Sequence, residues 1–330
     1  MFSSLLRLAD LALVSAAPGM RLYEDGFGDR AELERLVRLI DDRSIATEDV
    51  SISIDLEAGA SDAAGIRTAL GRFRSPSADL LPAESKLALV ELRSPAKPTS
   101  TLVVLLAATG EEGFWLRRRF SNPLLARGFA TLSLENAFYG VRRPRGQRVS
   151  LLRTVRDQFA MNVATVQEAR AIARWARDAG YDRVCLTGFS QGGLMASFAA
   201  ALTPFAVAAC PRGAGDAAAP IFTNAALSRR IHWARLSAEL GSESRARRYF
   251  EDCLKPVRIS RFPAPELAKA AILIGLRGDG FIPAAEVDAL HRHWQGAELR
   301  WLTTSHVIAA AFHSAAHQRA ISDSLSRLPG

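Results

Sequence analysis

The chain has 330 residues, of which 48% are hydrophobic and 23% charged, and its formal net charge is +8. This balance excludes a disordered or fibrous protein, and a chain of this length can bury a large core without disulfides or metal ions. The three cysteines are too few and too widely spaced for a disulfide framework or a zinc site, so we expect reduced thiols and a cytoplasmic location. Of the 42 basic residues 38 are arginine, which either favours an anionic partner or reflects composition alone.

No segment predicts binding to nucleic acid or passage through a membrane. The sequence has no Lys/Arg-rich tail, no aromatic and basic RNA motif, and no run of about 18 uncharged apolar residues. The apolar stretch from Met1 to Pro18 is interrupted by Arg7 and Asp10, and no basic region precedes it. We therefore do not expect this stretch to be a signal peptide.

Residues 1–48 predict an N-terminal helical extension. Two apolar stripes have helical spacing, the first formed by Leu5, Leu6, Leu8, Leu11 and Leu13 and the second by Leu33, Leu36, Val37 and Leu39. Alternating apolar residues then predict half-buried strands, first at Val50, Ile52 and Ile54 and later at Leu87, Leu89 and Leu92.

From residue 101 onwards, apolar strands alternate with helices. Strands are predicted at 102–108, 130–134, 184–187, 205–209, 271–276 and 299–303, and helices at 152–179, 194–201, 284–294 and 307–325. This order predicts an α/β fold with a mostly parallel, doubly wound sheet. The alternation lapses at about 211–262, which we interpret as a helical cap inserted into a domain that spans 49–330.

The most specific motif is Gly188-Phe189-Ser190-Gln191-Gly192-Gly193, between a predicted strand and a predicted helix. This context is typical of a nucleophile elbow, a strained turn that presents a serine hydroxyl at the edge of an α/β-hydrolase sheet. Small residues beside the serine allow the close backbone approach that such a turn requires. We therefore predict Ser190 as a nucleophile.

A serine hydroxyl needs a base, and the base needs an orienting carboxylate. In α/β hydrolases these follow the serine in the order acid, then histidine. Asp279 lies in the turn after one predicted strand and His306 directly after the next, so both belong at the same edge as Ser190. Asp216 is an alternative acid, and His232, His291, His293, His313 and His317 are alternative bases in less suitable positions.

An oxyanion hole would take one backbone N–H from Gln191 and one from the loop that follows the strand at 102–108. We select Thr109 in that loop, with Gly110 as its alternative. No metal-binding cluster, phosphate loop or dinucleotide motif is present, so we expect neither metal nor cofactor.

Several blocks of sequence resemble the α/β-hydrolase domain-containing protein 18 family across nearly the whole chain. The most distinctive are Leu106-Ala107-Ala108-Thr109-Gly110, Phe114 to Arg119 and Leu134 to Pro144, and upstream Gly26-Phe27-Gly28, Ser75-Pro76 and Pro82 to Ser85 also fit. The resemblance implies an α/β-hydrolase fold, a triad of Ser190, Asp279 and His306, and a lipid-like acyl ester as substrate. The chain departs from the family pattern with Gln191 in place of methionine and Ala108 in place of a second glycine.

The sequence thus predicts a serine hydrolase of carboxylic esters. A thioesterase or peptidase with the same triad, and a catalytically silent binding protein, are the alternatives. Tyr139 and Arg142 follow a core strand and are candidate substrate contacts. A structural network is the alternative role for Tyr139, and a solvated loop charge is the alternative for Arg142. Arginines in the cap favour an amphiphilic substrate with an anionic head and peripheral contact with an anionic membrane surface.

Overall fold

The computed structural model describes residues 2–15, 21–47 and 50–329, and within residues 2–15 it describes the side chains of 6–12. Its α-helices are α1 Phe2–Ser15, α2 Arg30–Asp41, α3 Trp115–Ala126, α4 Val155–Asp178, α5 Gln191–Leu202, α6 Ala219–Thr223, α7 Trp233–Leu240, α8 Glu243–Leu254, α9 Ala284–His293, α10 His306–Phe312 and α11 Ser314–Leu325. Its strands are β1 Asp55–Leu56, β2 Ala60–Ser61, β3 Arg67–Arg74, β4 Leu87–Ser94, β5 Thr101–Leu106, β6 Ala130–Leu134, β7 Arg183–Phe189, β8 Ala208–Arg212, β9 Ile272–Leu276 and β10 Glu298–Leu302.

The strands form one mixed sheet in the order β1-β3-β4-β6-β5-β7-β8-β9-β10, with β2 paired to β3. The pairs from β6 through β10 are all parallel, whereas β1, β2, β3 and β4 add an antiparallel edge. Parallel strands end at the same edge of a sheet, so the loops after β5, β6, β7, β8, β9 and β10 gather at one carboxyl edge.

Helices cover both faces of this sheet, which confirms the predicted doubly wound α/β fold. Leu102, Val104 and Leu106 of β5 belong to the core that α4 and α5 close. Val103 and Leu105 belong to a second core under α3 and α11. Both sets of side chains are fully buried because each face of the central strands meets a helix layer.

The region between β8 and β9 is helical, with α6, α7 and α8 packed around Phe250. Phe222 and Trp233 lie edge-on to the Phe250 ring, and so does Tyr23 from the N-terminal region, at 5.8 Å between ring centroids. The backbone of Leu22 also exchanges hydrogen bonds with this region, donating to Arg230 and accepting from His232. The inserted helices and the N-terminal region therefore pack as neighbours.

Three local predictions differ from the structure. Residues 50–54 are not a strand, because the half-buried edge is built by β1 and by the unpredicted β3. Strand β8 begins at Ala208 rather than 205, since Phe205 lies in the preceding turn beneath the Arg177 guanidinium. The predicted final helix is two helices, α10 and α11, that meet at His313.

The first apolar stripe forms α1, although the side chains of Leu5 and Leu13 lie outside the described residues. The segment 16–20, which includes Pro18, lies outside them as well. Within the part of the chain that the structure describes, no helix is both long enough and apolar enough to span a bilayer.

Candidate active site

Ser190 occupies the turn between β7 and α5 in a strained backbone conformation, with φ 56° and ψ −119°. A non-glycine residue with positive φ is rare, and such strain is concentrated at functional sites. Glycines make the turn possible: a Cβ on Gly188 would lie 2.3 Å from the backbone of Gly192, and one on Gly192 would lie 2.4 Å from the carbonyl oxygen of Leu106. The elbow is therefore wedged against the end of β5.

Asp279 and His306 form a direct pair at the ends of β9 and β10. The Asp279 Oδ2 lies 2.7 Å from the His306 Nδ1, and both side chains are buried. The other carboxylate oxygen, Oδ1, accepts the backbone N–H groups of Phe281 and Ile282 at 2.7 and 2.8 Å. Because both oxygens have partners, the carboxylate is held in one orientation and directs the imidazole Nε2 away from itself.

The imidazole of His306 lies beside the elbow. Its ring centroid is 4.6 Å from that of Phe189, the residue before Ser190, and 5.0 Å from that of Phe281. A Cβ on Gly213, directly after β8, would lie 3.4 Å from the His306 Cε1. The Ser190 N–H in turn donates to the Arg212 carbonyl at 2.9 Å. The structure thus gathers the three residues predicted from sequence at one sheet edge.

The alternative acid and bases have other partners or positions. Asp216 is buried, accepts the backbone N–H and the hydroxyl of Ser260, and forms an ion pair with Arg258. His293 and His291 contact backbone carbonyls of their own surroundings. Of the six histidines, His306 is the one that the described contacts pair with a carboxylate.

The loop after β5 lies against the elbow through side chains. The Thr109 hydroxyl donates to the Gln191 Oε1 at 2.9 Å. Its two neighbours have backbone N–H groups that are already used, that of Ala108 by Glu111 and that of Gly110 by the Tyr139 hydroxyl. Among the described hydrogen bonds none takes the N–H of Thr109. This pattern favours Thr109 over Gly110 as the loop donor of an oxyanion hole.

Sequence reasoning missed a chain of amides behind that loop. The Gln191 Nε2 donates to the Asn162 Oδ1 at 2.9 Å, and the Gln158 Nε2 donates to the same oxygen at 3.0 Å. The buried Tyr23 hydroxyl completes the chain by donating to Gln158. The only signal in the sequence is that Gln158, Asn162 and the buried Thr165 interrupt an otherwise apolar face of α4.

Arg142 does not have the predicted substrate contact. Its guanidinium is 1% exposed, binds the buried Glu168 carboxylate through both terminal nitrogens at 2.6 and 2.9 Å, and donates to the carbonyl oxygens of Ser85 and Glu135. A group enclosed in this way has no exposed face left for a ligand. The expectation for Arg142 is therefore wrong, and its role is to join the loop after β6 to α4.

Tyr139 is also buried, and its hydroxyl contacts the loop after β5. Its hydroxyl accepts the Gly110 N–H at 3.2 Å, and burial raises its pKa to about 12. Nearby, burial raises the pKa of Glu135, which accepts the Gly113 N–H. The geometry gives Tyr139 a place in this network, which the sequence left open, instead of a direct substrate contact.

A second residue missed from sequence is Asp10 of α1. Its carboxylate is 0% exposed and accepts the backbone N–H groups of Gly280 at 2.8 Å, His306 at 3.1 Å and Val307 at 3.0 Å. It therefore contacts the loops of both the acid and the base. Its signal in the sequence is an isolated acid in an apolar helix.

The three cysteines are buried and free of disulfides, and none lies at the elbow. Burial raises the pKa of Cys210 and of Cys253 to about 12, and raises that of Cys185 as well. A thiol must lose its proton to act as a nucleophile, so these groups are poor candidates beside Ser190. No group of three or more His, Cys, Asp or Glu side chains among the described residues could hold a metal ion.

Comparison with known proteins gives one family and a set of related folds. The family described as alpha/beta hydrolase domain containing 18 matches residues 20–249 and 242–327. An acetyl xylan esterase from Paenibacillus sp. R4 superposes with a TM-score of 0.59 at 14% identity, covering 91% of this chain and 96% of its own. Acetyl xylan esterase 1 from Thermoanaerobacterium sp. JW/SL YS485 gives 0.56 at 15% identity, covering 92% and 96%.

Proposed function

The chain belongs to the alpha/beta hydrolase domain containing 18 family, and from that premise we propose that it is a serine hydrolase that cleaves carboxylic acyl esters through an acyl-enzyme. The observation that carries the proposal is the bonded Asp279–His306 pair beside the strained Ser190 turn. A lipid-like acyl group is the proposed substrate class. It is supported by the family resemblance and by exposed apolar side chains of Trp115 and Leu116 on the helix that follows the oxyanion loop.

In the first half of the reaction the Ser190 Oγ attacks the acyl carbonyl carbon, while its proton passes to the His306 Nε2. The carbonyl oxygen becomes an oxyanion and accepts the N–H groups of Gln191 and Thr109. Collapse of this intermediate breaks the bond to the alcohol, which leaves with the proton from His306. Asp279 keeps Nδ1 protonated and stabilises the imidazolium, because its Oδ2 accepts the Nδ1–H bond.

In the second half, water gives a proton to the His306 Nε2 and attacks the acyl-enzyme. The tetrahedral intermediate then collapses and releases the carboxylic acid, while the His306 imidazolium returns the proton to the leaving Ser190 Oγ. The start of α5 supports both halves, since its first N–H groups and its positive dipole end face the developing negative charge.

Ser190→Ala tests the nucleophile. We expect the purified wild-type protein to react with a fluorophosphonate probe, and Ser190→Ala to lose both labelling and ester hydrolysis, a fall on the order of 10⁶-fold in kcat. Ser326→Ala, at an exposed serine in the final turn, is the matched control and should retain both. Labelling that persists in Ser190→Ala would rule out the assignment.

A panel of p-nitrophenyl esters of increasing chain length, with a thioester and a peptide anilide of matched acyl group, separates the proposed reaction from its alternatives. We expect the highest kcat/KM on an ester. This preference for esters is supported by the two structural relatives, both of which are named acetyl xylan esterases. Faster thioester or amide cleavage supports the thioesterase or the peptidase instead, and the absence of both labelling and turnover supports the silent binding protein.

A further inference from the structure

Asp10 is a carboxylate without a cation. No basic side chain among the described residues forms an ion pair with it, and it is closed to solvent. Burying a carboxylate is costly unless hydrogen bonds replace its water. Here three backbone N–H groups do so, and all three belong to the loops that carry Asp279 and His306. The contacts join residues 270 to 297 positions apart in the chain.

The hydrogen bonds that Asp10 accepts come from both the Asp279 loop and the His306 loop. Oδ2 accepts from Gly280, the residue after Asp279, and from His306 itself. Oδ1 accepts from Val307, while Ser305 binds the next N–H of α10 through its side chain. One rigid carboxylate thus sets the separation between the backbone of the acid and the backbone of the base.

The loop that carries Asp279 lies in close contact with α1. A Cβ on Gly278 would lie 2.5 Å from the Leu6 Cβ, and one on Gly280 would lie 3.0 Å from the Asp10 Cβ. The first contact leaves no room for a side chain at position 278, and the second leaves little room at position 280. The α1 helix therefore packs directly on the backbone of this turn.

We infer that Asp10 is a positioning residue for the Asp279–His306 pair, acting through the backbone of both loops. The inference rests on the proposed function. Catalytic groups must stay within about 0.5 Å of their productive positions, and a displacement near 1 Å can cost about 100-fold in rate. The 2.7 Å bond between the pair joins two separate loops, and Asp10 is the described side chain that binds to both.

The test compares Asp10→Ala and Asp10→Asn with Leu8→Ala, an exposed position on the same helix. We expect Asp10→Ala to lower kcat and the fluorophosphonate labelling rate about 100-fold with KM changed less than twofold. Asp10→Asn keeps one acceptor oxygen and should lose less, while Leu8→Ala should match the wild type. Folded Asp10 variants with wild-type labelling rates, or an equal loss in Leu8→Ala, would overturn the inference.

Two further measurements separate positioning from general stability. In an Asp279→Asn background the effect of Asp10→Asn should shrink, because the two residues act through one pair. A full additive effect would count against the inference. We expect the His306 Nδ1–H to give a proton NMR signal far downfield because of its bond to Asp279. This proton should exchange faster with solvent in Asp10→Asn, and an unchanged exchange rate would also count against the inference.

Two outcomes keep this inference distinct from the proposed function. Wild-type protein that neither reacts with the probe nor cleaves esters overturns the function, and the NMR resonance still decides the role of Asp10. If Asp10→Ala does not fold, hydrogen exchange of the wild-type amides of Gly280, His306 and Val307 decides instead. We expect all three to be protected, and rapid exchange would refute the anchoring contact.

Discussion

At the scale of single residues, the pair of Arg142 and Glu168 illustrates how charge serves structure in this protein. Both side chains are closed to water, and two hydrogen bonds join them. A buried ion pair contributes little net stability over an apolar pair of the same shape. Removing one partner, however, leaves the other charge buried alone, which is strongly destabilising.

We therefore expect Arg142→Met to lower the free energy of unfolding by about 3 to 5 kcal/mol, measured by urea denaturation, with KM of the folded enzyme unchanged. Arg142→Met combined with Glu168→Leu should recover part of the loss. The exposed Arg145→Met is the control and should change stability by less than about 0.5 kcal/mol. A raised KM without loss of stability would instead restore the substrate contact predicted from sequence.

The side chain and the backbone of Gln191 have different roles. Its backbone N–H is the proposed oxyanion donor, which any residue could supply. Its side chain joins Thr109 on the opposing loop to Asn162 on α4. Glutamine at this position, in place of methionine, makes this bridge possible. An amide can accept and donate a hydrogen bond at once, whereas a thioether cannot donate one.

At the scale of elements, α11 places a neutral histidine beside the candidate active site. His317 is 2% exposed, lies 5.8 Å from the Phe189 ring between centroids, and faces the Arg212 guanidinium. Burial, with a smaller effect from Arg212, lowers the pKa of His317 to about 2. The imidazole therefore stays uncharged when the protein is folded, and α11 packs on the sheet without a second cation beside Arg212.

This lowered pKa predicts a pH-dependent stability. Below about pH 6.5 the unfolded chain binds a proton at His317 that the folded chain does not. The free energy of unfolding therefore decreases as the pH is lowered, by up to about 1.4 kcal/mol per pH unit. At higher pH the imidazole is neutral in both states and contributes no slope. We expect His317→Leu to have a shallower slope between pH 6.5 and 4 in urea titrations.

Gln318→Leu, which removes a buried side chain of α11 that does not titrate, is the matched control and should keep the wild-type slope. Equal slopes for wild type and His317→Leu would show that the folded protein takes up this proton.

At the scale of the whole molecule, much of the arginine excess is paired internally. In the region between β8 and β9, Arg235 and Arg247 pair along their own helices, while Arg258 binds Asp216 and Arg261 reaches Asp41 near the end of α2. These pairs tie the inserted helices together and to the N-terminal region. Only the remaining exposed arginines are available to attract an anionic surface.

We propose that this remainder, with exposed apolar side chains on α3 and α10, gives weak attachment to anionic membranes. Trp115 and Phe312 are 60% and 80% exposed. In vesicle sedimentation we expect binding to vesicles that contain anionic lipid to exceed binding to neutral vesicles and to fall as salt rises from 0.05 to about 0.5 M. Arg229→Glu with Arg248→Glu should weaken it. Equal binding to both vesicle types would refute the role of charge.

The sequence alone determined the parallel core of the sheet and the candidate residues at its carboxyl edge. Apolar runs and glycine-rich turns are local signals, since a strand buried on both faces needs consecutive apolar residues and an elbow needs small neighbours. Ser190, Asp279 and His306 each follow such a run directly, and so could be selected by position. Where apolar residues lie in turns, as Phe205 does, the same signal misplaced a strand.

Only the tertiary structure decided which polar groups meet. Asp10 and the loops of Asp279 and His306 are more than 260 residues apart, and Arg142 found its carboxylate on another element. No local pattern encodes such contacts, because a buried polar side chain is satisfied by whichever group the packing brings to it. The sequence therefore identified the groups that could react. The packing of α4 and α11 against the sheet, and of α1 against the loops after β9 and β10, determined what holds them in place.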